Sequence, residues 1–394
     1  MEKIEIIGAG YIGLPLAAAF SQCAEVIVVE KNVSRLQSLI DGSFLYGEPD
    51  VDALLKENSR RISYVDKPKE CGRIIIVVQT PAKLDGTPDL SSVTGALKDV
   101  TGILKKDTLL ILESTVPVGT GKRIKKMLSS LGFEGCFAYC PETILPGNVM
   151  AEIKNNARVI GSDDPVALRR SKSLYSKISL SDIDVCSFEE AELIKLLQNA
   201  ARDVDLAFAN QVGFIAEKEG IDPFALINKI NKHPRIKVPN PGSGVGGHCI
   251  PVDPLFLINR YGDDVSLLSM ARTINDKKPV LVAEEAERLC VARKGKTIGV
   301  FGLSYKANIG DLRNSSGLVI AKKLTEDGFD VIGCEPNSHV EMIEGIINVP
   351  IEEAIRRSDV LILAQPHKVF EPYKKLFEDG IAIDPCGFIK DSYH

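Results

Sequence analysis

The 394-residue chain has no Cys-x-x-Cys pair, no excess of positive charge and no apolar run long enough to span a bilayer. Each absence removes a class of function. The nine cysteines (23, 71, 136, 140, 186, 249, 290, 334 and 386) are odd in number and scattered. Neither a zinc site nor a disulfide framework is therefore expected, and a reducing compartment is. A formal net charge of −5 offers no general attraction to nucleic acid or anionic membrane, so any phosphate binding must be local. A membrane span needs about 20 consecutive apolar residues, and Met-Glu-Lys before a short apolar run lacks a signal-peptide pattern. The expectation is a cytoplasmic protein with no metal, nucleic-acid or membrane partner. What is present is a 44% hydrophobic content at a mean hydropathy near zero, enough to bury sizeable cores. The length suits two or three domains.

Lys3–Ile7 reads as a short strand, followed by Gly8-Ala9-Gly10-Tyr11-Ile12-Gly13, a helix over Leu14–Gln22 and a second strand, Glu25–Val29, ending in Glu30. This is the order of a dinucleotide-binding unit. The first glycine makes the turn, the second admits the pyrophosphate and the third lets helix and strand pack. The helix N-terminus offers its N–H groups to phosphate. Glu30 suits the ribose hydroxyls and argues for NAD, since a 2′-phosphate there would meet a negative charge; Arg35 leaves NADP open. Further strands at Arg73–Val78, Thr108–Leu112 and Cys136–Cys140 alternate with helices, as a doubly wound parallel sheet requires. They end in Gln79-Thr80-Pro81, Glu113-Ser114-Thr115 and Pro141-Glu142-Thr143. Any one of these is an ordinary cap, but in open α/β sheets ligands lie beyond the carboxyl ends of the strands.

The middle of the chain is helical. Phe188–Glu219 carries Glu192, Lys195, Asn199 and Arg202 at i, i+3, i+7 and i+10, within about 80° of one helical face. A solvated stripe of ion pairs explains such a pattern. The surrounding Leu193, Ile194, Leu196, Leu197, Ala200 and Ala201 leave little room for a solvent side, and a lysine so placed can act as a base. A second helical stretch, from about Val265 to Val291, contains Pro279, which predicts a kink or break. Between them, Gly-Ser-Gly-Val-Gly-Gly-His-Cys-Ile-Pro-Val-Asp-Pro (242–254) sets Cys249 after a glycine-dense loop, four residues before Asp253. Cys249 is either a buried thiol in a turn or a nucleophile.

The last third repeats strand, helix and strand from Lys296, but its first turn, Gly302 to Ser315, has no Gly-x-Gly-x-x-Gly. A second dinucleotide site is not expected there. Lys306 and Arg313 suit a phosphorylated ligand or are solvated loop cations. The expected fold is α/β, two doubly wound Rossmann-like domains (1–187 and 293–394) joined by a long-helix central dimerisation region (188–292).

Six stretches, Gly8–Pro15, Glu113–Thr120, Tyr139–Asn148, Glu192–Gln211, Gly242–Pro254 and Gly302–Ser315, resemble the nucleotide-sugar dehydrogenase family in order across the whole chain. Within that family, Asn231–Arg235, Arg202–Asn210 and Gly247–Pro254 look most like the enzymes that oxidise the C6 alcohol of UDP-N-acetyl-D-mannosamine to a carboxylate for surface polysaccharides or glycans. The resemblance implies a four-electron oxidation using two NAD per turnover. It implies that Lys195 assists deprotonation of the C6 hydroxyl and that Cys249 traps the aldehyde as a thiohemiacetal, later a thioester. Asn199 and Lys195 would stabilise the oxyanion, and Asp253 and Glu142 would position or activate water.

The same resemblance puts Tyr11, Ile12, Glu30, Arg35, Thr80, Thr115 and Arg313 on NAD. It puts Thr143, Ile144, Lys195, Asn199, Arg202, His233, Arg235, Gly246, Tyr305 and Lys306 around the UDP-sugar. Arg235 would reach the neighbouring subunit's site in a homodimer. The chain departs from the family at Thr143, where an arginine is usual, and at Asp384-Pro385-Cys386-Gly387, where an arginine is again usual. Other readings are the same chemistry on UDP-N-acetylglucosamine, UDP-N-acetylgalactosamine or UDP-glucose, a two-electron 3-hydroxyacid dehydrogenase, and a non-catalytic nucleotide-sugar sensor.

Overall fold

Alternating short apolar strands and helices build two sheets in a computed structural model that describes residues 2–83, 85–144 and 147–389. The chain divides into two units, Met1–Gln198 and Asn199–His394, and the division falls inside one helix, Phe188–Lys218.

In the first unit the strands are β1 (Lys3–Ile7), β2 (Glu25–Val29), β3 (Ile62–Val65), β4 (Arg73–Ile76), β5 (Leu109–Leu112), β6 (Cys136–Tyr139), β7 (Arg158–Gly161) and β8 (Ile183–Cys186). They lie in the order β3-β2-β1-β4-β5-β6-β7-β8. All neighbours are parallel except β6 and β7, which meet antiparallel at Tyr139 and Gly161. The order reverses between β1 and β4, the switch point at which such sheets bind ligands. Register aligns Ile7 with both Val29 and Ile76, and Ile76 with Leu112, so the loops after β1, β2, β4 and β5 emerge at one edge. Both faces are covered. The two-residue period sends Ile4 and Ile6 of β1 into one core, with Leu14, Leu16 and Phe20, and Ile7 into another, with Ile74, Ile76 and Leu112. Burying each such side chain stabilises the unit by about 1.5–3 kcal/mol before entropy is charged against it.

The second unit holds β9 (Thr297–Phe301), β10 (Asp330–Cys334), β11 (Met342–Ile343), β12 (Ile346–Asn348), β13 (Val360–Leu363) and β14 (Ala382–Ile383), in the order β11-β12-β10-β9-β13-β14. Among its described strands only the β11–β12 pair is antiparallel. Ile298 and Val300 face one core, with Leu318, Ile320 and Ile362, and Phe301 faces the other, with Phe370 and Phe377.

The helix Ser266–Ala292 runs through Pro279 without a break. Proline removes one N–H from the helical ladder, but Val282, Ala283, Ala286 and Cys290 beyond it pack into the core of the second sheet and hold the helix together. Among the described residues no helix is long and apolar enough to cross a membrane.

Candidate functional site

At the switch point of the first sheet, Gly8 has φ +112°, a conformation that side chains disfavour, and its N–H donates to Val29 O at 3.0 Å. A Cβ on Gly13 would collide with the Gly8 carbonyl, whereas a Cβ on Gly10 would meet no protein atom within 4 Å. The space beside Gly10 is thus open to a ligand. No side chain caps the helix Gly13–Ser21, whose N-terminus can face phosphate. Glu30 follows β2, accepts the Asn32 N–H at 2.7 Å and lies 3.7 Å from the Arg35 guanidinium. Tyr11 packs edge-on to Tyr46, ring centroids 5.6 Å apart, beside half-buried Ile12. Thr80 and Thr115 are half-buried on the loops after β4 and β5, which the Val78 N–H to Ser114 Oγ bond joins at 2.8 Å. Glycine turn, open helix end and terminal carboxylate fit NAD.

Also in the first unit, Lys195 Nζ lies 2.9 Å from Glu142 Oε1, with side-chain exposures of only 5% and 9%. Glu142 follows β6, and its other oxygen accepts the Ile144 N–H at 2.7 Å. Thr143 is half-buried and Ile144 buried. One helical turn before Lys195, Glu192 accepts the N–H groups of Gly119 and Gly121 at 2.5 and 2.6 Å, tying the helix to the turn that opens Thr120–Ser130. Burial pushes the Glu192 carboxyl up to about 7 despite those two bonds. The start of the polar stripe is therefore internal, whereas Arg202 is exposed. Nearby, Glu113 accepts from the Tyr175 hydroxyl at 2.5 Å and from Arg158 at 3.2 Å, all buried. Burial, offset by the Arg158 charge and the Tyr175 bond, moves the Glu113 carboxyl up to about 7.

In the second unit the glycine loop is anchored at both ends. Ser243 Oγ meets Ser316 Oγ at 2.6 Å and donates to Ala364 O at 2.8 Å. Gly247 donates its N–H to Arg313 O at 3.1 Å, and its carbonyl accepts from Asn314 at 3.0 Å. A Cβ on Gly246 would strike Asn314 O, and one on Gly247 the Tyr305 ring, so glycine is required for this close packing. Cys249 Sγ lies 2.8 Å from His248 Nδ1. The Cys249 carbonyl accepts the N–H groups of Val252 and Asp253 at 3.0 and 2.8 Å, where the helix Asp253–Tyr261 begins. The buried Asp253 carboxylate accepts from Asn199 Nδ2 at 2.5 Å. Asn199 follows Lys195 by four residues on the same helix, so both project from one face.

Arg313 grips Asp311 with two nitrogens and leaves its side chain 46% exposed, while Lys306 is exposed. His233 and Arg235 are exposed in the turn after Pro223–Ile230, where His233 Nδ1 accepts the Arg235 N–H at 3.4 Å. Cys386 is buried and donates to Ala364 O at 3.5 Å. Burial pushes that thiol up to about 12, so it stays neutral and brings no charge to the position where an arginine is usual in the family.

The chain matches three consecutive parts of one family: the NAD binding domain over residues 2–179, the central domain over 189–277 and the UDP binding domain over 299–391. The chain belongs to the UDP-glucose/GDP-mannose dehydrogenase family. It is 36% identical to the UDP-N-acetyl-D-mannosamine dehydrogenase of Yersinia pestis over 95% of both chains. It is 34% identical to the NDP-N-acetyl-D-galactosaminuronic acid dehydrogenase of Ralstonia solanacearum over 93% of this chain and 91% of the relative. The structure of the UDP-N-acetyl-mannosamine dehydrogenase from Staphylococcus aureus superposes with a TM-score of 0.89 at 28% identity, covering 99% of this chain and 96% of that one. The protein is an NAD-dependent nucleotide-sugar dehydrogenase with an α/β fold of two doubly wound sheets.

Within this dehydrogenase the structure pairs Lys195 with Glu142 and Asn199 with Asp253, and it sets Gly246 and Tyr305 against each other. It leaves Arg202, His233, Arg235 and Lys306 on the surface of the single chain. Sequence reasoning missed the His248 contact with Cys249, the Glu192 bonds to Gly119 and Gly121, and the Glu113–Arg158–Tyr175 cluster. Only the first carried a local signal, an imidazole next to the thiol in the chain.

Proposed function

We propose that the enzyme oxidises the C6 alcohol of UDP-N-acetyl-D-mannosamine to the carboxylate, removing four electrons, and so supplies a uronic acid for surface polysaccharide or glycan synthesis. The observation that carries this reading is the glycine-walled turn that sets the Cys249 sulfur against an imidazole. A two-electron dehydrogenase has no use for a nucleophilic thiol. When bound, NAD supplies the hydride acceptor for each oxidation.

The chain's own residues do the rest. Lys195, held by Glu142, takes part in removing the C6 hydroxyl proton, which leaves an aldehyde after the first oxidation. The Cys249 sulfur bonds to that carbon, giving a thiohemiacetal that the second oxidation turns into a thioester. Lys195 and Asn199 donate to the oxyanion. Water attacks the thioester, its proton passing toward Asp253 or Glu142; the C–S bond breaks and the thiol is restored. Tyr11, Ile12, Glu30, Arg35, Thr80, Thr115 and Arg313 serve NAD. Thr143, Ile144, Arg202, His233, Arg235, Gly246, Tyr305 and Lys306 serve the UDP-sugar. The working divisions are 1–187, 188–292 and 293–394, and the enzyme acts as a homodimer in which Arg235 crosses to the neighbouring site. Its exposure on a single chain supports that role.

The choice of sugar rests on the 36% identical relative and on the Gly247–Pro254 and Asn231–Arg235 stretches. The 34% identity to an N-acetylgalactosaminuronic acid dehydrogenase favours UDP-N-acetylgalactosamine, which differs at C2 and C4, as the second reading. A panel of UDP-N-acetylmannosamine, UDP-N-acetylglucosamine, UDP-N-acetylgalactosamine and UDP-glucose, each followed by NADH formation, decides between them. The first should give the highest kcat/KM, and a preference for any other overturns the sugar assignment while leaving the chemistry.

A further inference from the structure

The cysteine loop brings a second titratable group onto the sulfur. His248 and Cys249 are neighbours in the chain, and successive side chains diverge in extended backbone. Here the turn that starts the helix Asp253–Tyr261 binds the Cys249 carbonyl twice, through Val252 and Asp253, and the two side chains meet at 2.8 Å. On the other side, Gly247 has φ +94° and a Cβ there would strike the Tyr305 ring. The backbone on both sides of the pair is thus pinned. The His248 ring lies 6.3 Å from that of Tyr305, centroid to centroid. Among the charged groups near it is Asp311, which Arg313 clamps. Burial works against ionisation of Asp311, but the bonds and charge of Arg313, with a smaller contribution from His248, hold its carboxyl below the usual carboxylate range. A persistent carboxylate near the ring favours imidazolium, and the Arg313 guanidinium, clamped on that carboxylate, tempers the effect.

We propose that His248 is a catalytic residue: Nδ1 takes the proton from Cys249 Sγ–H, so the sulfur attacks as thiolate. The proposal rests on Cys249 being the nucleophile of the reading above. In the addition, the S–C6 bond forms from the sulfur lone pair and the carbonyl π pair moves to oxygen. The Nδ1 proton neutralises that oxygen, giving the thiohemiacetal hydroxyl, and the second oxidation, which removes the C6 hydride, releases that hydroxyl proton to solvent. When water later cleaves the thioester, the C–S bond breaks, the departing thiolate keeps the pair, and the proton lost by water passes by way of Asp253 or Glu142 to Nδ1. The group that lowers the cost of attack therefore also stabilises the leaving sulfur.

The test needs no turnover. Full-length enzyme is alkylated with iodoacetamide from about pH 5 to about pH 10, and modification of Cys249 is followed by peptide mass spectrometry. An isolated thiol ionises near about 8.5. Wild-type Cys249 is expected to react well below that range. His248→Gln should react about tenfold more slowly near neutral pH, with a rate that climbs only as an ordinary thiol ionises. Its NADH binding by fluorescence titration should be unchanged. Equal rates and equal pH profiles for the two proteins overturn the proposal. Where His248→Gln does not fold, the wild-type profile decides: reactivity that appears only with ordinary thiol ionisation also overturns it. Failure of the four-electron reading would show separately, as one NADH per sugar with the alkylation result intact.

Discussion

The buried pair Lys195–Glu142 makes a prediction in which stability and activity part company. At 2.9 Å, with an effective dielectric of about 20, the two charges attract by about 6 kcal/mol. Much of that offsets the loss of their hydration, but removing one partner of a buried ion pair takes charge compensation from the other, at a cost of about 3–5 kcal/mol. Lys195→Met takes the ammonium from the Glu142 carboxylate, and Glu142→Gln takes the carboxylate charge from the Lys195 ammonium. The double variant carries neither charge. In a unit of this size about 3 kcal/mol corresponds to a fall of about 6–12 °C in melting temperature. Each single variant should show such a fall, and the double variant should melt well above the sum of the two losses. Activity should not recover: each of the three should lose about 10²–10⁴ in kcat. Calorimetry and steady-state NADH formation on the same four proteins make the comparison. Additive melting shifts would show that the contact carries no coupling energy and refute the reasoning.

Gly10→Ala should fold and melt as wild type, because its Cβ meets no protein atom, yet raise the KM for NAD about tenfold or more; an unchanged KM would show that the ligand does not approach there. Glu30→Ala should narrow the preference for NAD over NADP by leaving Arg35 without its carboxylate neighbour 3.7 Å away, and an unaltered ratio of kcat/KM values would contradict this. Glu5, fully buried in β1, accepts the Lys69 N–H on one oxygen, its other oxygen has no hydrogen-bond partner among the described residues, and burial raises its carboxyl to about 7. The folded state thus holds a proton that the unfolded chain has lost, so stability falls as pH rises from about 4.5 to about 7, by about 3 kcal/mol, and is flat above. Glu5→Gln should lose that slope in melting temperature against pH, whereas retention of the full slope would assign it elsewhere.

The parts of the fold visible in the sequence are those whose signal is local. β1, its glycine turn and Glu30 sit within one stretch of chain, and Lys296–Phe301 announces the second sheet in the same way. Strands at or next to a sheet edge, such as β3, β7, β8, β11 and β12, are short, and only pairing with a neighbour makes them strands. Pro279 does not break its helix for the same reason, since packing beyond it outweighs one missing bond. The stripe Glu192, Lys195, Asn199 was legible as a face. Its partners Gly119, Glu142 and Asp253 were not, because nothing local encodes a contact across 53 or more residues.

The central claim is that a thiol holds the aldehyde through a second oxidation. Counting NADH against UDP-N-acetylmannosamine consumed, with the sugar product identified by mass, tests it most directly. Wild-type enzyme should form two NADH per sugar and a uronate, and Cys249→Ser should form no uronate while still binding NADH. One NADH per sugar with a released aldehyde, or full uronate formation by Cys249→Ser, would contradict the account.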